Sequence, residues 1–252
     1  MVTAPANRSA RPERTRAVVF DLDDTLYSER RFILSGFAAV AATVEQLGPP
    51  RREVFRTLVK ALREGRRQEA FQAICARYGL SEDLVASWVA IVRSHRPRLK
   101  LPRQTRRVLT ALAPGWAIGV VTNGIPAVQA RKVEALGLAE LVDAVVFASE
   151  HGSGRGKPDP EPYLTCLTRL GVVPMRSVFV GNDADIDVGG ARAVGMWTVR
   201  VARRSEWVPE APRESDADQV VPDLASVPTA LSRLVGPTPG IVRALASLPG
   251  LA

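Results

Sequence analysis

Two carboxylate side chains, Asp21 and Asp23, stand two residues apart directly after the apolar run at residues 17–20. On an extended segment, residues two apart point to the same side, so both groups would serve one site. That spacing suits one carboxylate as a nucleophile and the other as a proton donor. Asp24 adds a third charge, and a bound divalent cation would offset the repulsion among the three. The pattern predicts a cation-assisted active site; a strand followed by a plain acidic turn is the alternative.

Polar residues also follow later apolar runs of the chain. Thr122 and Asn123 precede a glycine, and hydroxyl and backbone N–H groups in such a turn can cradle phosphate oxygens. Both residue types are also ordinary turn formers. Lys157 is one of only four lysines and lies in a loop framed by glycines and prolines, whereas an isolated lysine is usually a solvated one. A second acidic stretch ends another apolar run: Gly181-Asn182-Asp183-Ala184-Asp185-Ile186-Asp187. Two acidic strand ends in one sheet favour a shared cation over simple helix capping.

The elements that must position these residues alternate between strand and helix beyond residue 102. Helical patterns at 128–136 and 160–170 each end at a glycine. Alternating strands and helices predict a doubly wound, Rossmann-like parallel sheet with right-handed crossovers. Ligands of such α/β folds bind at the carboxyl ends of the strands, which is where the polar residues stand. Besides the first run, four segments are predicted as strands: 116–121, 144–147, 177–180 and 196–201.

A different pattern fills residues 27–100, where apolar residues recur at three- and four-residue intervals without a strand signal. This segment is predicted to be a small helical subdomain inserted after the first strand. The α/β core is expected at 16–26 and 101–235. Residues 1–15, rich in Pro, Arg and Ala, are predicted to be a disordered tail. A C-terminal tail is expected at 236–252, with a short apolar helical pattern that would dock on the surface.

The composition limits the kinds of binding partner that we expect for this protein. The net charge is +8, but 30 arginines accompany only four lysines and are scattered, which is typical of a high-GC coding bias. Only 6% of residues are aromatic and none form a stacking pattern, so we expect no nucleic-acid partner. No apolar stretch reaches the roughly 18 residues of a membrane span, so no membrane partner is expected. No secretory signal precedes the first strand, and two cysteines are too few for a disulfide framework; both features favour the cytoplasm.

Taken in order, the four polar motifs resemble those of the haloacid dehalogenase-like (HAD) superfamily. The stretch from Asp21 to Leu26 is similar to its first motif, Thr122 to the second, Lys157-Pro158-Asp159 to the third, and 181–187 to the fourth. The resemblance spans about residues 16 to 201. It includes the helical insertion, which corresponds to the family's C1-type cap. The order and spacing of four motifs make the resemblance specific.

The resemblance implies a role for each catalytic residue. Asp21 would be the nucleophile that attacks phosphorus and forms an aspartyl-phosphate. Asp23 would protonate the leaving alkoxide and then activate the hydrolytic water. Thr122, Asn123 and Lys157 would bind the substrate, with Thr122 and Lys157 holding the transferring phosphoryl oxygens. The superfamily's haloalkanoate dehalogenases, which attack carbon, lack an acid at the position of Asp23, so its presence favours phosphate transfer.

The resemblance also implies a Mg²⁺ site. The cation would be bound by the Asp21 carboxylate, the Asp23 backbone carbonyl and a side chain of the fourth motif, with waters completing the octahedron. Asp187 would not bind the metal itself but would orient a metal-bound water or Lys157. Asn182 stands where the family usually has aspartate, so either Asn182 binds through its amide oxygen or Asp183 replaces it.

The sequence thus predicts a Mg²⁺-dependent phosphomonoester hydrolase acting on a small phosphorylated metabolite, with the cap as a lid. A phosphomutase on the same core and a degenerate HAD-fold binding module are the alternatives. Gln129 and Lys132 after the second motif resemble the nucleotidase-like branch. The oligomeric state cannot be read from the sequence. Three residues just beyond the first motif are candidates for leaving-group contacts: Tyr27, Arg30 and Arg31.

Overall fold

The computed structural model describes residues 14–202 and 217–235 and contains a six-stranded sheet in which every neighbouring pair of strands is parallel. The strand order is β3-β2-β1-β4-β5-β6, so β1 lies between β2 and β4. This confirms the predicted doubly wound α/β fold. The strands are β1 (Ala17–Phe20), β2 (Ala117–Thr122), β3 (Ala144–Phe147), β4 (Ser177–Gly181), β5 (Trp197–Val201) and β6 (Gln219–Val221).

The central strands form because their side chains are buried on both faces. All four residues of β1, and every residue of β2 and β4, are buried, as the continuous apolar runs predict for a sheet covered on both sides. The edge strand β6 has one exposed valine among three residues. No strand was expected there, because such a short segment gives no recognisable period.

Nine α-helices are assigned within the described residues. Their bounds are α1 (Glu29–Val44), α2 (Arg51–Arg63), α3 (Ala70–Tyr78), α4 (Leu84–Ser94), α5 (Arg103–Leu112), α6 (Pro126–Leu136), α7 (Pro160–Leu170), α8 (Gly190–Ala193) and α9 (Val227–Val235). A π-helical turn, Ala184–Gly189, leads directly into α8. Helices α6 and α7 begin with proline at their first position and end at glycines with positive φ, Gly137 and Gly171.

The described chain divides into two compact units. The α/β unit comprises residues 14–27, 101–202 and 217–235, and the helical unit comprises residues 28–100. Tyr27 therefore belongs to the α/β unit rather than to the helical one. Close to the points where the chain leaves and re-enters the α/β unit, the Thr105 hydroxyl donates a 2.8 Å hydrogen bond to the Leu26 carbonyl. The predicted tails lie outside the described residues, except for residues 14 and 15 of the first.

Apolar packing accounts for the helical unit. Its cluster draws on all four helices and is centred on fully buried side chains such as Leu58 and Ile74. The Phe71 ring stands edge-on to both Phe37 and Trp88, with centroids 6.0 and 5.9 Å away. No helix among the described residues is long and apolar enough to cross a membrane.

The sheet and helix α7 approach closely at a glycine. A Cβ on Gly119 of β2 would lie 2.5 Å from the Cys166 sulfur, which no real contact allows. The absence of a side chain lets α7 pack directly on the sheet and form an apolar layer with Ala17, Val19 and Phe179. This layer fixes the helix that follows the Lys157 loop.

Candidate active site

The parallel register brings three of the four motifs to neighbouring strand ends. Phe20 of β1 pairs with Val120 of β2 on one side and with Val180 of β4 on the other. The residues that follow Phe20 therefore emerge between the ends of β2 and β4. The backbone N–H of Asp21 extends the ladder by one bond, to the Val180 carbonyl at 2.9 Å.

A buried ion cluster joins the first, third and fourth motifs. The Lys157 ammonium lies 2.7 Å from Asp21 Oδ1 and 2.6 Å from Asp187 Oδ1. All three residues are buried, with at most 7% of any one exposed. Isolated charges at such depth are unfavourable, and a lysine between two carboxylates supplies the necessary pairing. The cluster holds Asp21 and Lys157 at fixed places beside each other.

Burial shifts the pKa of Asp21 and of Lys157 in one direction, and pairing with the opposite charge shifts it in the other. Burial raises the pKa of Asp21 above its usual range, against the Lys157 charge that lowers it, and Asp187 raises it further. Burial alone would lower the pKa of Lys157, but the charges of Asp21 and Asp187 outweigh burial and raise it. The lysine is therefore the permanent cation of the site. A further positive charge beside Asp21 would favour its ionised form.

Asp187 is fixed by the loop that follows β4. Its Oδ2 accepts hydrogen bonds from the backbone N–H groups of Asn182 and Asp183, both at 3.1 Å. A Cβ on Gly181 would collide with the Asp187 side chain, so a glycine is required where the carboxylate folds back over the strand end. The Tyr163 hydroxyl donates to the Ile186 carbonyl at 2.5 Å and supports the same turn. Tyr163 was not identified from the sequence, because its contact joins elements that carry no shared pattern.

Asp23 has a separate set of donors. The Lys132 ammonium lies 2.9 Å from Oδ1 and 2.7 Å from Oδ2. The Gln129 side-chain N–H donates to Oδ2 at 2.9 Å, and the Tyr27 hydroxyl donates to Oδ1 at 2.6 Å. The next residue, Asp24, has φ 57°, a left-handed conformation that aspartate tolerates better than most residues. The sequence marked the two α6 residues and Tyr27, but not their contact with Asp23.

The second motif connects the two sets. Gln129 also donates to the Thr122 hydroxyl at 2.5 Å. The side chain of Asn123 bonds twice to the backbone of Lys157: its Oδ1 accepts from the Lys157 N–H at 2.8 Å, and its Nδ2 donates to the Lys157 carbonyl at 3.0 Å. Asn123 therefore ties the lysine loop to the end of β2. Its predicted contact with substrate stays a prediction.

Comparisons with known proteins agree with this architecture. The haloacid dehalogenase-like hydrolase family matches residues 15–195. The chain belongs to this family. It is 30% identical over 211 residues to the glyceraldehyde 3-phosphate phosphatase of Methanopyrus kandleri, covering 80% of this chain and 89% of that one. It is 32% identical to the phosphoserine phosphatase of Thermus thermophilus, covering 78% and 70%. A HAD phosphatase from Thermococcus onnurineus has the same fold, with a TM-score of 0.56, 26% identity, and coverage of 86% and 97%.

These findings confirm the predicted superfamily and the predicted enzyme class, a HAD-like phosphatase. Arg30 and Arg31 of this hydrolase lie in the helical unit, at the start of α1, and their proposed contact with a leaving group stays a prediction. Tyr27, the third residue of that set, has its hydroxyl on Asp23 in the α/β unit.

Few side-chain oxygen atoms at the candidate site of the hydrolase are available to bind a cation. Asp21 Oδ2 accepts no hydrogen bond from residues in the described ranges. Asn182 Oδ1 accepts one, from the Thr25 hydroxyl at 3.1 Å. Asp183 is exposed, and its Oδ1 caps the following turn by accepting from the N–H groups of Asp185 and Ile186. Within residues 14–202 and 217–235, no three His, Cys, Asp or Glu side chains are grouped to hold a metal ion by themselves.

That donor set is nevertheless suitable for Mg²⁺. This cation prefers oxygen ligands and keeps several waters, and it typically binds through one or two carboxylates together with substrate phosphate. The available Asp21 oxygen, the Asp23 carbonyl and the Asn182 amide oxygen are hard donors of this kind. A cation there would also offset the burial that disfavours the ionised Asp21.

Proposed function

We propose that this hydrolase is a Mg²⁺-dependent phosphomonoesterase that works through an aspartyl-phosphate on Asp21. The observation that carries the proposal is the placement of Asp21 at the end of β1, with one oxygen on Lys157 and the other accepting no bond among the described residues. A nucleophile needs one oriented oxygen with access to the phosphorus atom. Lys157 fixes that orientation and keeps a positive charge beside the transferring group.

The reaction divides into two displacements. In the first, an Asp21 oxygen bonds to phosphorus, the bond from phosphorus to the leaving oxygen breaks, and the Asp23 carboxyl gives that oxygen its proton. In the second, a water attacks phosphorus and passes a proton back to Asp23, while the bond between phosphorus and Asp21 breaks. The Thr122 hydroxyl and the Lys157 ammonium bind the phosphoryl oxygens, where negative charge accumulates.

We assign the cation ligands to Asp21, the Asp23 backbone carbonyl and Asn182. Asp183 is the weaker candidate because its side chain already caps the turn after β4. When bound, Mg²⁺ supplies positive charge that offsets repulsion between the nucleophile and the incoming phosphate. Asp187 keeps the Asn182 backbone in place through its hydrogen bond to the amide N–H.

The proposed substrate is a small phosphorylated metabolite. Two of the relatives are named as phosphatases of glyceraldehyde 3-phosphate and of phosphoserine, both of which are small phosphomonoesters. Asp23 supports phosphate rather than halide chemistry, because a leaving halide needs no proton while an alkoxide does. Two buried, free thiols, Cys75 and Cys166, are compatible with a reducing cytoplasm, which we keep as the proposed location.

The test is inorganic phosphate release from a panel of phosphomonoesters, with Mg²⁺ and with a chelator. We expect Mg²⁺-dependent release by wild type and its loss in Asp21→Asn. The matched control is Asp185→Asn, the same change at an exposed residue of the fourth motif, which should retain release. A product that keeps its phosphate ester would identify a phosphomutase. A folded protein that binds phosphate but converts no compound would contradict the proposal and favour a binding module.

A further inference from the structure

Lys132 is a buried lysine that the proposed reaction leaves without a role. It lies on α6 with 3% of its surface exposed, and its ammonium contacts both oxygens of Asp23. Lysine is rarely buried unless it is paired, because removing an ammonium from water is costly. The pairing with Asp23 offsets that cost, and it places the ammonium on the residue proposed as the general acid.

A second residue of α6, Gln129, also contacts Asp23. Gln129 lies one turn before Lys132 on the same face of the helix, and only 2% of it is exposed. It donates to Asp23 Oδ2 and to the Thr122 hydroxyl. Tyr27, four residues after Asp23 in the chain, donates to the other Asp23 oxygen. Donors from three residues thus hold the two oxygens of the Asp23 side chain.

We infer that Lys132 is the positioning residue of the general acid, with Gln129 as its partner; the inference rests on the proposed function. A general acid must stand within hydrogen-bond reach of the leaving oxygen, and small errors in placement are costly. Lys132 contacts the proposed general acid through both Asp23 oxygens, so the role inferred for it is one of positioning.

The charge of Lys132 adds a second effect. When the Asp23 carboxyl gives its proton to the leaving oxygen, a carboxylate forms on Asp23, and the ammonium already lies where that negative charge develops. Such a preorganised charge stabilises the transition state without reorganisation. The benefit is largest for an alkyl leaving group, which needs the proton, and small for a nitrophenolate, which leaves without it.

This difference in leaving groups provides the experiment. We would compare kcat/KM for p-nitrophenyl phosphate and for glycerol 3-phosphate in wild type and Lys132→Met. kcat/KM reports the steps up to the first irreversible one, in which the leaving group departs. Loss of general-acid assistance is worth about 10²–10⁴-fold. Lys132→Met keeps Asp23 itself, so we expect part of that loss, more than about tenfold, for the alkyl ester and less than about tenfold for the aryl ester.

Two further variants separate positioning from folding. Arg131→Met removes one positive charge from the neighbouring position of α6, and it should leave the ratio of the two kcat/KM values unchanged. Lys132→Arg keeps the charge and should restore much of the alkyl activity. Retained aryl activity in Lys132→Met shows that the site is folded; if that variant does not fold, Lys132→Gln replaces it, with the same ratio expected to fall.

The outcomes distinguish this inference from the proposed function. If wild type hydrolyses neither ester nor any other phosphomonoester, the proposed function fails. If wild type is active but the Lys132 variants lose both activities equally, or lose neither, the positioning role is wrong while the phosphatase reaction stands.

Discussion

The two units of the chain differ in what they bury. Every buried Asp, Lys, Gln, Ser and Thr side chain among the described residues belongs to the α/β unit. The helical unit, residues 28–100, packs around an apolar cluster and buries none of these types within those residues. Buried polar groups lower stability unless they are paired, so proteins keep them mainly where they have a function. The buried polar side chains therefore favour the α/β unit as the place of the proposed chemistry.

The largest expected loss of stability comes from breaking the buried ion pairs of the α/β unit. Lys157→Met leaves two buried carboxylates without their shared cation, and it should lower the free energy of unfolding by about 3–5 kcal/mol. Urea unfolding followed by circular dichroism measures the change. Lys60→Met, at a side chain that is 75% exposed, is the control and should unfold as wild type does. Equal stability of the two variants would show that the buried cluster is not paired as described.

Truncation of a buried apolar side chain tests the packing of the helical unit. Leu58 is fully buried at the centre of the helical unit, so Leu58→Ala should lower the free energy of unfolding by about 2–5 kcal/mol through lost transfer energy and a residual cavity. Leu47→Ala, at a leucine that is 49% exposed, should have little effect. Thermal unfolding of both variants checks this. A small effect at Leu58 would mean that packing does not hold the helical unit together.

A smaller loss is expected from a single buried hydroxyl. Thr105→Val keeps the side-chain shape but removes the donor to the Leu26 carbonyl, which should cost about 1–3 kcal/mol. Thr57→Val is the counterpart in the helical unit, where the hydroxyl donates to the Glu53 carbonyl at an exposed position. Chemical denaturation of the pair should show a clear loss only at Thr105. A larger loss of stability in Thr57→Val than in Thr105→Val would contradict the contrast between the two units.

The smallest effect belongs to surface charge. The Arg77 and Glu53 side chains of the helical unit form an ion pair at 3.6 Å, with 56% and 48% of each side chain exposed. Exposed pairs contribute about 0–1 kcal/mol, so Glu53→Gln should change stability by less than about 0.5 kcal/mol. Unfolding at low and at 0.5 M salt checks it. A salt-dependent loss above about 1 kcal/mol would show that surface charge matters in this unit.

Local patterns in the sequence were sufficient for the fold and for the motifs. The central strands are continuous apolar runs, and Gly137 and Gly171 end their helices as expected. Strand β6 was missed because three residues with an exposed valine carry no period. The contact between Lys132 and Asp23 was also missed. It joins positions on separate elements, and only the sheet order and the orientation of α6 bring them together.

The fourth motif shows a different limit. Asn182 and Asp183 are adjacent, and residue type alone favours the carboxylate as a metal ligand. The structure uses the Asp183 side chain to cap the turn, which depends on the backbone angles of that loop. No sequence pattern specifies those angles, so the sequence alone left both residues open as the proposed metal ligand.

The hydrogen bond between Thr105 and Leu26 has a consequence for how the chain is connected. It joins residues of the α/β unit on either side of the inserted segment, and the flanking strands β1 and β2 pair directly with each other. Each halving of a closed loop lowers its entropic cost by about 0.6 kcal/mol. A chain in which a short linker replaces residues 28–100 would therefore have a smaller closure penalty than the native protein. We therefore expect that a change in the length of the inserted segment would not require a change in the strand order.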